Sequence, residues 1–198
     1  KNKTRKLTQM ALLTAIILLM AFTPLGYLRT GVVEITFIMI PVVVGAILMG
    51  PCAGAILGGV FGLTSFIQCF GMSALGAMLL QVNWFFTFVV CFVPRVLMGW
   101  LAGLIFKALY KVDKTRLVSF AVASLSGAVL NTIFFVGSLG LLFYNTVLGM
   151  AAESGISVLA FLLSFVTLNS VLECAAFLIV GTAISKALYK SFGSIKEQ

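Results

Sequence analysis

Residues Ile40–Phe66, IPVVVGAILMGPCAGAILGGVFGLTSF, carry the pattern that decides the fold of this chain. Two uncharged apolar runs are separated only by Gly50 and Pro51. The runs do not alternate between apolar and polar residues, which favours helices over strands, and a Gly-Pro pair marks a tight reversal. The stretch therefore predicts a helical hairpin made of two short spans.

The composition places this hairpin in a membrane. Hydrophobic residues make up 62% of the 198 residues and charged residues only 9%, with a mean hydropathy of +1.20. A soluble domain is closer to half apolar and a quarter charged. The first apolar run is not a cleaved signal peptide, because equally long runs follow it. We therefore predict an all-α integral membrane protein in which residues 1–198 form a single transmembrane domain.

Six apolar segments predict the transmembrane helices: Leu7–Phe22, Glu34–Met49, Cys52–Phe70, Trp84–Lys107, Leu117–Asn145 and Val158–Ala187. Residues 71–83 are interpreted as a partly buried or re-entrant loop, with a seventh short helix as the alternative. If six helices cross, eleven of the thirteen Lys and Arg residues fall on one side of the membrane. The positive-inside rule then makes both termini cytoplasmic. The net charge of +8 is thereby explained by topology and by contact with anionic lipid. Nucleic-acid binding is disfavoured, because the predicted spans leave no soluble module that could bind it.

Several kinds of chemistry have no support in the sequence. The four cysteines (Cys52, Cys69, Cys91, Cys174) are scattered and there is no histidine, so we expect packing roles for the thiols and neither a metal nor a cofactor. No GxxxxGK[ST] loop is present, so we expect any ATP hydrolysis to occur in separate partner subunits. The chain is predicted to be a transport subunit rather than an enzyme.

Four polar residues are predicted to share one depth in the membrane. At 1.5 Å per residue, Arg95 lies about 18 Å from the cytoplasmic end of its helix at Lys107. The same count places Asn131 about 22 Å and Glu173 about 20 Å from the cytoplasmic ends of theirs, with Asn169 one turn further out. Lipid satisfies no polar group, so these side chains must face each other or a wet cavity.

Two interpretations of this layer remain open. Arg95 and Glu173 could form an ion pair that fixes helix packing, or the layer could form an outward-opening pocket in which Arg95 meets an anionic ligand. Pro94 supports the second, because its missing N–H frees the carbonyl of Val90 at pocket depth. The outer loops, which carry Arg29, Asn83 and Trp84, are predicted to cover such a pocket. Trp84 would equally suit the interfacial aromatic belt.

Small residues predict close helix contacts. Gly50, Gly54, Gly58 and Gly62 recur every four residues and give the third helix a groove for close packing within the chain. Ala11 and Ala15 form a small-xxx-small pair on the first helix. This pair could pack inside the chain's own bundle or contact another protein.

Together these features resemble the S component of an energy-coupling-factor (ECF) vitamin transporter. The resemblance rests on the six-helix length, the basic termini, the AxxxA pattern of Ala11–Ala15 and the GPxxG hairpin at Gly50–Gly54. The wording TPLG…IPVVVGA…GP…FGL is most similar to the pantothenate-type members. The resemblance implies a multi-pass protein of a bacterial cell membrane that binds a small water-soluble vitamin from outside with high affinity.

The resemblance also implies partners. An S component docks on a transmembrane T component that carries two ATPase subunits, and Ala11 and Ala15 match the docking motif. The ligand residues of the family vary with the substrate, so none is transferred by motif. The alternatives are an S component for another vitamin such as riboflavin, an autonomous small secondary carrier or channel, and a membrane scaffold without a ligand. Only an S component should bind a vitamin tightly and yet transport it only with partners.

Overall fold

Helices dominate the part of the chain that the computed structural model describes, which is residues 2–23, 26–30, 33–111, 113, 117–163, 174–175 and 177–193. The elements, in chain order, are α1 (Asn2–Phe22), β1 (Tyr27–Thr30), β2 (Val33–Thr36), α2 (Met39–Met49), α3 (Pro51–Gln68), α4 (Ala74–Val82), α5 (Trp84–Leu109), α6 (Leu117–Leu142), α7 (Tyr144–Glu153) and α8 (Thr182–Gly193). Residues 158–163 are also helical, and a π-helical turn, Phe177–Gly181, leads into α8.

The predicted helical membrane class is confirmed. Within the described residues, four helices are long and apolar enough to cross a membrane, at Thr4–Phe22, Pro51–Gln68, Trp84–Leu109 and Val118–Leu142. Two shorter apolar helices, Met39–Met49 and Phe177–Ala187, accompany them. The count of six spans and the cytoplasmic position of both termini stay predictions.

The outer connection between α1 and α2 differs from the sequence expectation. It carries an antiparallel hairpin in which Tyr27 pairs with Thr36 and Arg29 with Glu34. Glu34 therefore belongs to β2, and the prediction that the second span begins there is wrong, because α2 begins at Met39. The β-branched residues of this segment favour an extended backbone over a helix.

Two further boundaries are corrected. Residues 71–83 contain the short helix α4 rather than a loop, and Ser73 caps it by accepting a hydrogen bond from the backbone N–H of Gly76 at 3.2 Å. The predicted fifth span, Leu117–Asn145, is two helices that break at Phe143. The sequence offered α4 only as the alternative and did not predict α7, because both helices are apolar yet too short to form a span of their own.

The hairpin of α2 and α3 forms as predicted. Gly50 ends α2 with φ of 99°, a conformation that L side chains rarely adopt, and Pro51 opens α3 at a position where a missing N–H costs nothing. Nine consecutive residues of α2, from Met39 to Ile47, are buried. This short helix therefore lies inside the bundle rather than at its lipid-facing surface.

Close packing of α3 on α5 confirms the predicted glycine groove. A Cβ atom added to Gly54 would collide with the carbonyl oxygen of Gly99, and one added to Gly58 would collide with that of Arg95. Towards the other ends of the two helices, a Cβ on Gly62 would lie 2.8 Å from the Cα of Phe92, and one on Gly103 would lie 2.7 Å from that of Pro51. The two backbones are thus in contact along the whole antiparallel pair, as small residues allow in membranes.

This backbone contact predicts that alanine destabilises the protein at one glycine and has little effect at its neighbour. Gly58→Ala should lower the free energy of unfolding by about 1–3 kcal/mol, because the new methyl group pushes α5 away from α3. Gly59→Ala is the matched control, since its Cβ would lie 3.5 Å from the Phe92 ring, an ordinary contact. Thermal unfolding in detergent measures both variants. Equal melting temperatures for the two would contradict the proposed backbone contact.

Candidate functional site

Arg95 lies in the interior of the bundle, on the side of α5 that meets α3 and α6. Only 9% of the surface of Arg95 is exposed to solvent. Its Nη1 donates a hydrogen bond of 2.8 Å to the carbonyl oxygen of Val90. In a regular helix the N–H of residue 94 would bond to this oxygen, but Pro94 has no N–H. The carbonyl oxygen of Val90, which the sequence predicted to be left without a backbone donor, therefore accepts a hydrogen bond from Arg95.

Aromatic rings from α3 and α6, both in the described part of the chain, contact the guanidinium of Arg95. The Arg95 Cζ lies 5.5 Å from the centre of the Phe61 ring in α3 and 4.9 Å from that of Phe135 in α6. Both distances are within the range of cation–π attraction, which is stronger where water is excluded. Arg95 thus connects three helices through its side chain.

Asn131 lies one helical turn from Phe135 on the same face of α6. The residue is half-buried, and within the described part of the chain its Oδ1 atom is buried without a hydrogen-bond partner. A buried amide oxygen without a partner is costly, so it is suited to accept a hydrogen bond from a bound molecule or water. The structure thereby brings two of the four predicted polar residues to one region.

The other two members of the predicted layer, Asn169 and Glu173, lie outside the described residues. The choice between an Arg95–Glu173 ion pair and a ligand pocket therefore stays open. Arg29 lies in β1 opposite Glu34 in the hairpin register.

Asn83 and Trp84 lie at the start of α5, about 18 Å along the helix from Arg95. The Asn83 Oδ1 accepts hydrogen bonds from the N–H groups of Phe85 and Phe86 at 3.0 and 3.2 Å, so this side chain caps α5. The Trp84 side chain is exposed. The structure does not bring these two residues into contact with Arg95.

An open cavity of about 280 Å³, which we call the outer cavity, lies at the end of the bundle that the sequence predicts to face outward. Its lining consists of residues from the junctions α4–α5 and α6–α7: Val82, Asn83, Phe86, Leu141, Leu142, Phe143, Tyr144, Asn145 and Thr146. Apolar side chains form a cluster beside the cavity, which we call the outer cluster: Leu79, Val90, Leu139, Phe143 and Val147, with Phe135 packed against them. Phe143 also lines the cavity and Phe135 also contacts Arg95, so the outer cluster connects the cavity to the Arg95 region.

The first helix directs its two small residues away from the bundle. Ala11 and Ala15 are exposed, whereas Leu13, Ile17 and Ala21 are buried against the core. This exposure favours the prediction that the alanine pair contacts another protein over the alternative that it packs inside the chain's own bundle. This face of α1 is free to contact lipid or another protein.

Sequence reasoning missed the two rings around Arg95. The available signals were their spacings, since Phe61 follows Gly58 by three residues on the glycine face and Phe135 follows Asn131 by four. It also missed Gln68, whose Nε2 donates a 2.6 Å hydrogen bond to the carbonyl oxygen of Ala21 and joins α3 to α1.

Cys69 and Cys91 are buried with their Sγ atoms 3.7 Å apart. Among the described residues, no three potential metal ligands come together.

Comparison with known proteins supplies the family. Residues 5–185 match the family model described as "ECF transporter, substrate-specific component". The chain is 30% identical over 202 residues to the pantothenate transporter PanT of Leuconostoc mesenteroides subsp. mesenteroides, a match that covers 94% of this chain and 93% of the relative. It is 29% identical over 171 residues to the pantothenic acid transporter PanT of Lactococcus lactis subsp. cremoris, which covers 80% of each.

These matches bear on the sequence predictions. The family consists of transporter components, so the prediction of a transport subunit rather than an enzyme is confirmed, as is that of a multi-pass membrane protein. The family model covers nearly the whole chain. The chain therefore belongs to the family of substrate-specific (S) components of ECF transporters.

Proposed function

We propose that this chain binds pantothenate from outside the cell and delivers it inward as the S component of an ATP-driven ECF transporter. The observation that carries the proposal is a buried arginine, Arg95, at the meeting point of three helices, in a chain whose relatives are named pantothenate transporters. Its partners are a transmembrane T component and two ATPase subunits, as the family implies.

The chemistry of pantothenate fits the polar groups near Arg95. The ligand has one carboxylate, one amide and two hydroxyl groups. A guanidinium is suited to bind a carboxylate through two parallel hydrogen bonds. Asn131, which lies one turn from Phe135 on α6, can accept a hydrogen bond from a hydroxyl or amide N–H of the ligand. Asn169 and Glu173 are proposed as further polar contacts from the last predicted span.

The outer residues have a different proposed role. Asn83 and Trp84 lie about 18 Å along α5 from Arg95, so one small ligand cannot contact all three. We assign Asn83, Trp84 and Arg29 to the outer surface through which the ligand arrives. Asn83 lines the outer cavity, and we propose that the ligand passes beside the outer cluster to reach Arg95.

The role of Arg95 can be tested by ligand binding. Arg95→Ala should raise the Kd for pantothenate more than tenfold, because removal of the charged partner of a buried anion costs about 2–5 kcal/mol. Isothermal titration calorimetry on detergent-purified protein measures the change. Val93→Ala, at an exposed position of the same helix, is the control and should bind as the wild type does. An unchanged Kd for Arg95→Ala would reduce Arg95 to a structural role.

The docking role of α1 can be tested separately. Replacing Ala11 and Ala15 with tryptophan should abolish pantothenate uptake in cells that contain the T component and ATPases, because helix association in lipid requires close approach. Pantothenate binding to the isolated chain should persist, since both alanines are exposed and lie away from Arg95.

The matched control for this experiment is tryptophan at Leu63 and Ile67, an exposed pair with the same spacing on α3. This control should retain uptake. Normal transport by the Ala11/Ala15 variant would exclude α1 from the docking surface. Transport by the wild-type chain alone in liposomes would instead favour an autonomous carrier.

A further inference from the structure

We propose that Cys69 and Cys91 form a redox modification site, in which hydrogen peroxide converts the two thiols to a reversible disulfide that joins α3 to α5. The inference goes beyond the packing role that the sequence predicts for the cysteines. It does not depend on the proposed function, because no ligand of the transporter takes part in the reaction.

The two thiols are already in contact. Their Sγ atoms lie 3.7 Å apart, and the residues are only 3% and 6% exposed. The Cys69 Sγ also donates a hydrogen bond of 3.3 Å to the carbonyl oxygen of Ser65, so the S–H of Cys91 is the one that points at the other sulfur. A disulfide requires the sulfurs to approach by about 1.7 Å more, a distance that rotation about the two Cα–Cβ bonds can supply.

The backbone keeps the thiols together. A Cβ atom added to Gly62 of α3 would lie 3.0 Å from the carbonyl oxygen of Cys91, so the two helices are in contact beside the pair. Cys69 is the last residue of α3, and two residues later the chain turns at Gly71, whose φ is 135°. One thiol is therefore held by a packed helix, and the other lies at a helix end that can adjust to a new bond.

The position of the pair gives a small oxidant a short path to it. Cys69 lies at the end of the bundle that the sequence predicts to face outward, and the next residue, Phe70, is 68% exposed. Only the short helix α4 lies over the thiol here, where a Cβ atom on Gly76 would collide with the Cys69 Sγ. Hydrogen peroxide is small and uncharged, and disulfides persist on the oxidising side of a cell membrane.

The reaction consumes one peroxide for each pair of thiols. One cysteine, as its thiolate, attacks a peroxide oxygen, so that an S–O bond forms, the O–O bond breaks and the first water is released. The second thiol then attacks the sulfur of this sulfenic acid, which forms the S–S bond and expels the second water. The two protons and two electrons that the thiols lose are both taken up by the peroxide.

The test counts free thiols on the whole wild-type chain in detergent. The protein is reduced, freed of reductant, treated with hydrogen peroxide, unfolded and labelled with N-ethylmaleimide. Intact mass spectrometry should show two labels, on Cys52 and Cys174, instead of four, and dithiothreitol added before labelling should restore four. Digestion should identify one linked pair of peptides, which contain Cys69 and Cys91.

Single serine variants are the matched controls. Cys69→Ser and Cys91→Ser should each keep three labels after the same treatment, because a buried thiol without a partner thiol is inert. Cys52 is the internal comparison, since it is exposed and lies about 25 Å along α3 from Cys69, too far to pair with it.

Thermal unfolding supplies a second measurement. Oxidised wild-type protein should unfold at a higher temperature than reduced protein, because a cross-link restricts the unfolded chain. A lower melting temperature would mean that the bond forces α3 and α5 out of their contact, and it would overturn the inference that the native fold holds the thiols ready to react.

The labelling results decide the proposal directly. Four labels on peroxide-treated wild-type protein, or a linked peptide that contains Cys52 or Cys174, would overturn it. Loss of labels from the serine variants as fast as from the wild type would also overturn it, since the thiols would then be oxidised singly. If a serine variant fails to fold, the label count and the linked peptides of the wild-type chain still decide.

Discussion

The hydrogen bond from Arg95 to the carbonyl of Val90 is the interaction on which the site depends. In a membrane interior, a carbonyl without a donor and a guanidinium without an acceptor are both costly. Pro94 creates the first problem by removing a backbone N–H, and the adjacent arginine resolves it at 2.8 Å. The same bond holds the charged group beside its own helix, at the depth where α3 and α6 can also reach it.

The backbone contact between α3 and α5 provides the frame for this bond. Helices in lipid gain little from burying apolar surface, so their association depends on how closely their backbones approach. Gly54 and Gly58 on α3 face Gly99 and Arg95 on α5, and a methyl group at either α3 position would collide with a carbonyl oxygen. The glycines of α3 thus determine how closely Phe61 on α3 and Arg95 on α5 approach each other.

The proposed binding and docking sites lie in different parts of the molecule. The polar residues Arg95 and Asn131 lie on α5 and α6, and the outer cluster packs next to Phe135, which contacts Arg95. The small residues Ala11 and Ala15 lie on the exposed face of α1. A transporter subunit that must hold its ligand while contacting a partner benefits from this separation, because a change on one surface need not disturb the other.

Local pattern in the sequence was sufficient for the class of fold, the hairpin at Gly50 and Pro51 and the glycine face of α3. Each of these depends on hydropathy, on spacing or on the backbone preference of one or two residues. The sequence did not predict β1 and β2, and it offered α4 only as an alternative, because such short segments carry too little pattern to separate helix, strand and loop.

The aromatic neighbours of Arg95 were decided by tertiary structure. The chain contains 18 phenylalanines, and spacing that places Phe61 near Gly58 and Phe135 near Asn131 is not enough to single them out as rings that contact the guanidinium. That choice depends on how α3 and α6 are rotated about their axes and how closely each packs on α5. The outward direction of Ala11 and Ala15 was decided in the same way, since the sequence places both on one face of α1 but only packing determines which face is buried.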